Sequence, residues 1–300
     1  MRVSESQVPG TGEIFLDHVG WFIRDVDEAT RAFERLGFVL TPFVVSRNAD
    51  PAGGPPKPSG TGNRCAMLRL GYLELIAGIA GVDTPLARQH REALDRYVGL
   101  HVVAFTVADA HAHYRHLQGE GFEPGEPVKL RRPITAPDGS DRFAEFTVVR
   151  VPPEKMPEGR IQLLTQETPD LIWQPQLIAR DNGVVSLTSA YVCTANVEEA
   201  TARYARFLKR EPAEADNEGS VFELDRGTLY LVSPGRAREY LDCDVTAVPS
   251  IVAIGLGTTD LKATRRFLDA RGIPILLDSR DSFRVAPNDA LGATLVIHRV

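Results

Sequence analysis

Apolar and polar positions alternate with a period of two, then switch to a helical period, and this order recurs four times along the chain. The copies are LDHVGWFIRDVDEATRAFERLGFVL from Leu16, GLHVVAFTVADAHAHYRHLQGEGFEP from Gly99, LTSAYVCTANVEEATARYARFLKREP from Leu187 and SIVAIGLGTTDLKATRRFLDARGIPI from Ser250. In the first copy Leu16, His18, Gly20 and Phe22 fall on one strand face, and Val19, Trp21 and Ile23 on the other. Asp25 then reads as a helix N-cap with Glu28 as its capping-box partner. Val26, Ala29, Phe33 and Leu36 form the apolar stripe of that helix, and Gly37 stands where a left-handed C-terminal residue is wanted. Asn196 and Glu199 repeat the cap in the third copy, and Gly121 and Gly272 repeat the stop in the second and fourth.

Three further strand-like runs follow each helix, so each copy reads β-α-β-β-β. A repeat of this length governs the whole fold. It predicts an α+β protein of four βαβββ modules in two tandem pairs. Each pair forms a curved, cup-like mixed sheet with helices outside. The expected organisation is a flexible N-terminus at 1–13 and an N-terminal domain at 14–168, built of modules 14–80 and 99–168. A linker at 169–183 and a C-terminal domain at 184–300 complete it. A helix near 84–97 bridges the first two modules. Residues 48–63, rich in Pro and Gly, read as a loop, either a mobile flap or an idle insertion.

Composition narrows the function. Of the 300 residues 43% are hydrophobic and 25% charged, as in a soluble globular protein, and the net charge of -6 leaves no footprint for nucleic acid. No apolar run reaches the ~20 residues of a membrane span. The three cysteines lie far apart, without a CxxC pair, and read as reduced structural thiols. The polar N-terminus lacks an apolar signal core, so the expected location is cytoplasmic.

The repeat supplies an internal control for candidate chemistry. On the cup face of the first strand, module one places His18 and module two His101, where modules three and four place Ser189 and Val252. On the last strand the corresponding residues are Glu74, Gln162, Tyr230 and Leu295. A carboxylate on the inner face of an apolar strand is costly unless it is paired or bound to metal. Two imidazoles with an acid suit Fe, Zn, Mn or Ni and leave positions open for a substrate. The bland alternative makes His18 and His101 core histidines and pairs Glu74 with Arg64 or Arg160. Trp21, Tyr72, Phe105, Phe143 and Trp173 are candidate aromatic walls or core, and the HAHYRH run at His111, His113 and His116 reads as solvated.

The opening LDHVGWFIRDVDEATRAFERLGF, the stretch GTGNRCAMLRLGYLELIAG and the four modules resemble the vicinal-oxygen-chelate superfamily of glyoxalase I, bleomycin-resistance proteins and extradiol dioxygenases. The stretch from Gly60 to Ala77 is most similar to bacterial glyoxalase-like domain proteins. The resemblance implies a divalent metal ion at His18, Glu74, His101 and Gln162, with Glu74 as the catalytic base. It implies a small oxygenated substrate turned over by a glyoxalase-like lyase or isomerase, or by a dioxygenase. Gln162 departs from glyoxalase I, which has a second carboxylate there. The other reading is a metal-free protein that binds or sequesters a small molecule, as bleomycin-resistance proteins do. Four modules in one chain favour a cup completed internally, with a homodimer as the other assembly.

Overall fold

The computed structural model describes residues 6–48, 54–55, 57–178, 181–242 and 245–300. The first half runs β1 (Ile14–Ile23), α1 (Val26–Arg35), β2 (Val44–Asn48), β3 (Lys57–Met67), β4 (Tyr72–Gly78), α2 (Pro85–Arg96), β5 (Gly99–Val107), α3 (Ala110–Gly119), β6 (Val128–Thr135), β7 (Asp141–Arg150) and β8 (Arg160–Gln166). A short helical turn, α4 (Pro169–Ile172), leads to the second half. This runs β9 (Val184–Cys193), α5 (Val197–Leu208), β10 (Glu214–Ala215), β11 (Gly219–Glu223), β12 (Thr228–Val232), α6 (Pro234–Leu241), β13 (Ser250–Thr258), α7 (Leu261–Asp269), β14 (Ile275–Leu276), β15 (Ser282–Val285) and β16 (Thr294–Arg299).

The four modules appear as read. They form two eight-stranded mixed sheets, ordered β2-β3-β4-β1-β5-β8-β7-β6 and β10-β11-β12-β9-β13-β16-β15-β14. In each sheet two modules meet through antiparallel first strands, β1 with β5 and β9 with β13. The helix caps are also as read: Asp25 accepts from the amides of Asp27 and Glu28, and Asn196 from that of Glu199.

The helix-facing sides of both sheets share one hydrophobic core, from Leu16, Trp21, Phe33 and Phe105 to Phe207, Leu256 and Phe283. The halves are also stitched symmetrically. The Leu16 amide donates to the Arg226 carbonyl at 2.8 Å, and the Leu187 amide to the Leu70 carbonyl at 3.0 Å. Arg203 of α5 reaches the fully buried Glu158 of the first half at 2.5 Å. The second half is thereby a buttress to the first.

The stretch 48–63 differs from its reading as a loop. Lys57–Asn63 is the start of β3, with Thr61 opposite Gly78 and Gly62 opposite Ala77. Residues 49–53 and 56 lie outside the described residues. Glycine makes this strand possible by close approach. A Cβ on Gly62 would stand 2.5 Å from the Phe43 ring, and Gly60, at φ +104°, lies against Thr84 and Ala87 of α2.

Candidate functional site

The concave face of the first sheet forms an open hollow of about 920 Å³, the solvent space at its mouth included. Its floor is two rows of residues running across the strands. Tyr72, His18, Ala104, Gln162 and Arg150 are lateral neighbours on β4, β1, β5, β8 and β7, and Glu74, Gly20, Val102 and Arg160 make the next row. His18 and Glu74 stand on one wall of the hollow, and Gln162, Arg150 and Arg160 on the other.

Three of the four expected ligand residues, His18, Glu74 and Gln162, line this cup, but His101 does not. The cause is a pair of β-bulges. Along β1, Leu16 pairs with Phe105 and His18 with Ala104, so Asp17 is an extra residue. Along β5, Val102 pairs with Gly20 and Leu100 with Trp21, so His101 is the extra residue. The true counterpart of His18 is therefore Val102. His101 packs beside the cup, next to α2, stacked between Tyr97 at 4.0 Å and Phe22 at 4.9 Å, and its Nε2–H donates to the Tyr97 carbonyl at 2.9 Å. Burial pushes its pKa down to about 4, so it is a neutral core histidine.

The first bulge creates a feature that alternation along the strand concealed. It turns Asp17 to the same side as His18, and Asp17 Oδ2 accepts the His18 Nδ1–H at 2.6 Å. Asp17 is fully buried and is held in turn by Gln166 Nε2, at 3.1 and 3.2 Å from its two oxygens. A carboxylate only accepts, so Nδ1 carries the proton and Nε2 is left facing the cup. Nε2 lies 3.8 Å from Glu74 Oε2, and the imidazole stacks on Tyr72 at 4.4 Å. Glu74 Oε1 accepts from Asn63 Nδ2, and Asn63 Oδ1 in turn accepts from Arg132 at 3.3 Å. Burial, with Asp17 and Glu74 nearby, holds the Tyr72 hydroxyl well above its usual pKa and therefore neutral.

Glu74 pairs with neither of the arginines considered from sequence. Arg64 donates to the Thr41 carbonyl and Thr30, and Arg160 to Gln89. Glu74 is the one carboxylate lining the cup among the described residues, against Arg47, Arg131, Arg132, Arg150 and Arg160. Burial lowers the pKa of Arg150, opposed by Glu74, and burial with Arg150 brings Arg160 down to about 9. Arg150 Nε and Gln162 Oε1 are buried without a hydrogen-bond partner in the protein. Such atoms carry a desolvation penalty that a bound polar ligand would relieve.

This donor set does not fit the expected metal. Among the described residues no three His, Cys, Asp or Glu side chains stand together as a metal group. With His101 elsewhere, the second module offers only the neutral amide of Gln162, and guanidinium charge crowds the place where a dication would sit.

Of the aromatic candidates only Tyr72 lines the cup; Trp173 packs on it edge to face at 5.9 Å, in a cluster with Cys65, Met67 and Ile172. Trp21 and Phe105 are fully buried in the shared core, and Phe143 is exposed. The histidines of α3 are interfacial rather than solvated throughout: His116 bonds the Arg206 carbonyl of α5, and burial lowers His113 to about 4.

The second cup is only partly filled and keeps a hollow beside Tyr191, Tyr230 and Tyr240. Tyr191 and Tyr230 stack at 4.5 Å on its floor, and Ala237 and Leu241 of α6 pack onto them with Val252, Ala253 and Val296. The counterparts of Val102 and Gln162 there are Ala253 and Val296; Leu295, expected on this face, belongs to the shared core.

The fold and cup define a glyoxalase-like protein of the vicinal-oxygen-chelate superfamily. The chain belongs to the family described as Glyoxalase-like domain, whose profile matches residues 16–208. No curated protein matches its sequence. Solved structures share the architecture at low identity. A hypothetical protein from Staphylococcus aureus is 12% identical with a TM-score of 0.67, covering 96% of this chain and all of that one. A mutant of 4-hydroxymandelate synthase from Streptomyces coelicolor is 15% identical with a TM-score of 0.55, over 95% of this chain and 93% of that one. A fusion protein of a xylose isomerase-like TIM barrel and 4-hydroxyphenylpyruvate dioxygenase is 12% identical with a TM-score of 0.56; the match covers 98% of this chain and 50% of that one.

Proposed function

We propose that the first cup binds a small oxygenated organic anion, a carboxylate or its equivalent, without a metal ion. The observation that carries this reading is the charge of the lining: five arginines against Glu74, with Arg150 Nε and Gln162 Oε1 both buried and unmatched. A carboxylate laid across Arg150 would satisfy its free N–H through a charge-assisted bond. Gln162 Oε1 would accept from a hydroxyl on the same ligand, such as that of the enol form of an oxo acid. Tyr72, Phe146, Val148 and Leu164 supply the apolar wall.

The test is calorimetric titration of the purified protein with 2-oxobutyrate, 2-oxoglutarate and acetoacetate. Binding is expected for at least one, weakened about tenfold or more by Arg150→Met, as suits loss of one charged hydrogen bond. Elemental analysis is expected to show no stoichiometric metal, and added Zn²⁺, Mn²⁺, Ni²⁺ or Fe²⁺ should leave binding unchanged. A stoichiometric ion lost in Glu74→Gln would overturn the metal-free reading.

A further inference from the structure

We propose that the Asp17–His18 pair makes this anion site a proton-transfer centre for carbon acids, with His18 Nε2 as the base and an arginine in the place of a Lewis acid. The inference rests on the anion-binding reading and deepens it to a substrate class: carboxylates bearing a carbonyl beside an ionisable C–H.

Three features support it. First, His18 is oriented for the task. Its Nδ1 proton is committed to Asp17 at 2.6 Å, so Nε2 is the nitrogen that faces the cavity and exchanges a proton there. Asp17 is itself fixed by both bonds from Gln166 and by the bulge that turns it inward. A core histidine needs no carboxylate behind it, and His101 is anchored by the Tyr97 carbonyl instead. Second, the imidazolium formed on proton uptake would lie between two carboxylates, Asp17 at 2.6 Å and Glu74 at 3.8 Å. Opposite charges at those distances stabilise the protonated ring in a shielded cup. Third, charge is available for the other product of the transfer. Arg150, on the opposite wall, has a buried N–H without a partner, and Arg160 lies beside it in the second floor row. Preorganised donors of this kind stabilise an oxyanion more strongly than water does.

The step balances within the site. The substrate C–H bond breaks and an N–H bond forms at Nε2. The C–H electron pair becomes the C=C bond of an enolate, whose negative charge rests on the former carbonyl oxygen against a guanidinium. Return of the proton to the same carbon, from the same or the opposite face, gives exchange or inversion. No oxidant or reductant takes part. Asp17 is a positioning residue: it holds the tautomer and touches no substrate.

The experiment follows deuterium incorporation from D2O into 2-oxobutyrate, 2-oxoglutarate and acetoacetate by ¹H NMR, beside calorimetric binding of the same compounds. Wild-type protein is expected to accelerate exchange of at least one probe that binds. His18→Gln should lower that acceleration about 100-fold or more while binding stays within about threefold, because the arginines are intact. Asp17→Asn should lower the exchange rate and leave binding in place. ¹⁵N NMR of the wild type should show neutral His18 protonated at Nδ1, and Asp17→Asn should shift that tautomer balance, a change a merely structural role would not produce. A probe that binds without exchange, exchange undiminished in His18→Gln, or a wild-type His18 protonated at Nε2 overturns the proton-transfer inference alone. Failure of all three probes to bind overturns the anion site and this inference with it.

Discussion

His101 and His18 are both buried histidines on first strands, yet they do opposite things. His18 is tied to a carboxylate and faces a cavity. His101 lies between aromatic rings, with its bond to the Tyr97 carbonyl as its polar anchor. Its pKa, lowered to about 4 in the folded protein, lies below the ~6.5 of an exposed imidazole. The unfolded chain therefore binds more protons between those values, and stability falls as pH drops from ~6.5 towards 4. Replacing His101 with Phe keeps the stacking and removes this titration. Urea unfolding of His101→Phe should show a pH dependence across that window reduced by roughly 3 kcal/mol, with His90, also lowered by burial, supplying part of the slope that is left. At this scale the sequence placed His18, Glu74 and Gln162 in the cup. It failed on His101 because alternation cannot see a bulge. The counting signal was present: His18 stands seven residues before the cap Asp25, and the residue seven before the cap Asp109 is Val102. Asp17 was missed for the same reason, since strict alternation turns it away from its neighbour.

The elements themselves were largely legible, because caps, stripes and glycine stops all agree in each module. Propensity failed where tertiary contact decides, at β3, whose Pro- and Gly-rich start pairs with β4 against its composition. Gly37 shows the same principle at a helix end. It follows α1 at φ +85°, and a Cβ there would stand 2.3 Å from the Phe267 ring of α7. The stop signal thus also sets the distance between α1 and α7, which belong to different halves. Gly37→Ala should destabilise the protein by about 2–4 kcal/mol, from left-handed strain and overpacking together. Chemical denaturation read by tryptophan fluorescence would measure it, Trp21 being buried in the shared core.

For the molecule as a whole, the repeat foretold two cups but not their different fates. Both halves keep the sheet order and the paired bulges; in the second the corresponding extra residues are Thr188 and Val252, and a further shift leaves Val185 extra. What distinguishes them is the segment after the fourth strand of each half. The first half's α2 packs Leu94 beside Phe22, Ile76 and Val102 and leaves the cup open, whereas α6 drives Ala237 and Leu241 into the tyrosine floor of the second. No alternation of apolar residues announces which helix will enter a hollow, because an apolar stripe serves either purpose.

That difference in lining has a numerical consequence. The second hollow keeps room beside its stacked tyrosines but puts Ser189, Tyr230 and Val296 where the first has His18, Glu74 and Gln162. Titration with a true ligand of the first cup should saturate at one equivalent per polypeptide, and a second equivalent would mean that the tyrosine-floored hollow takes the same molecule.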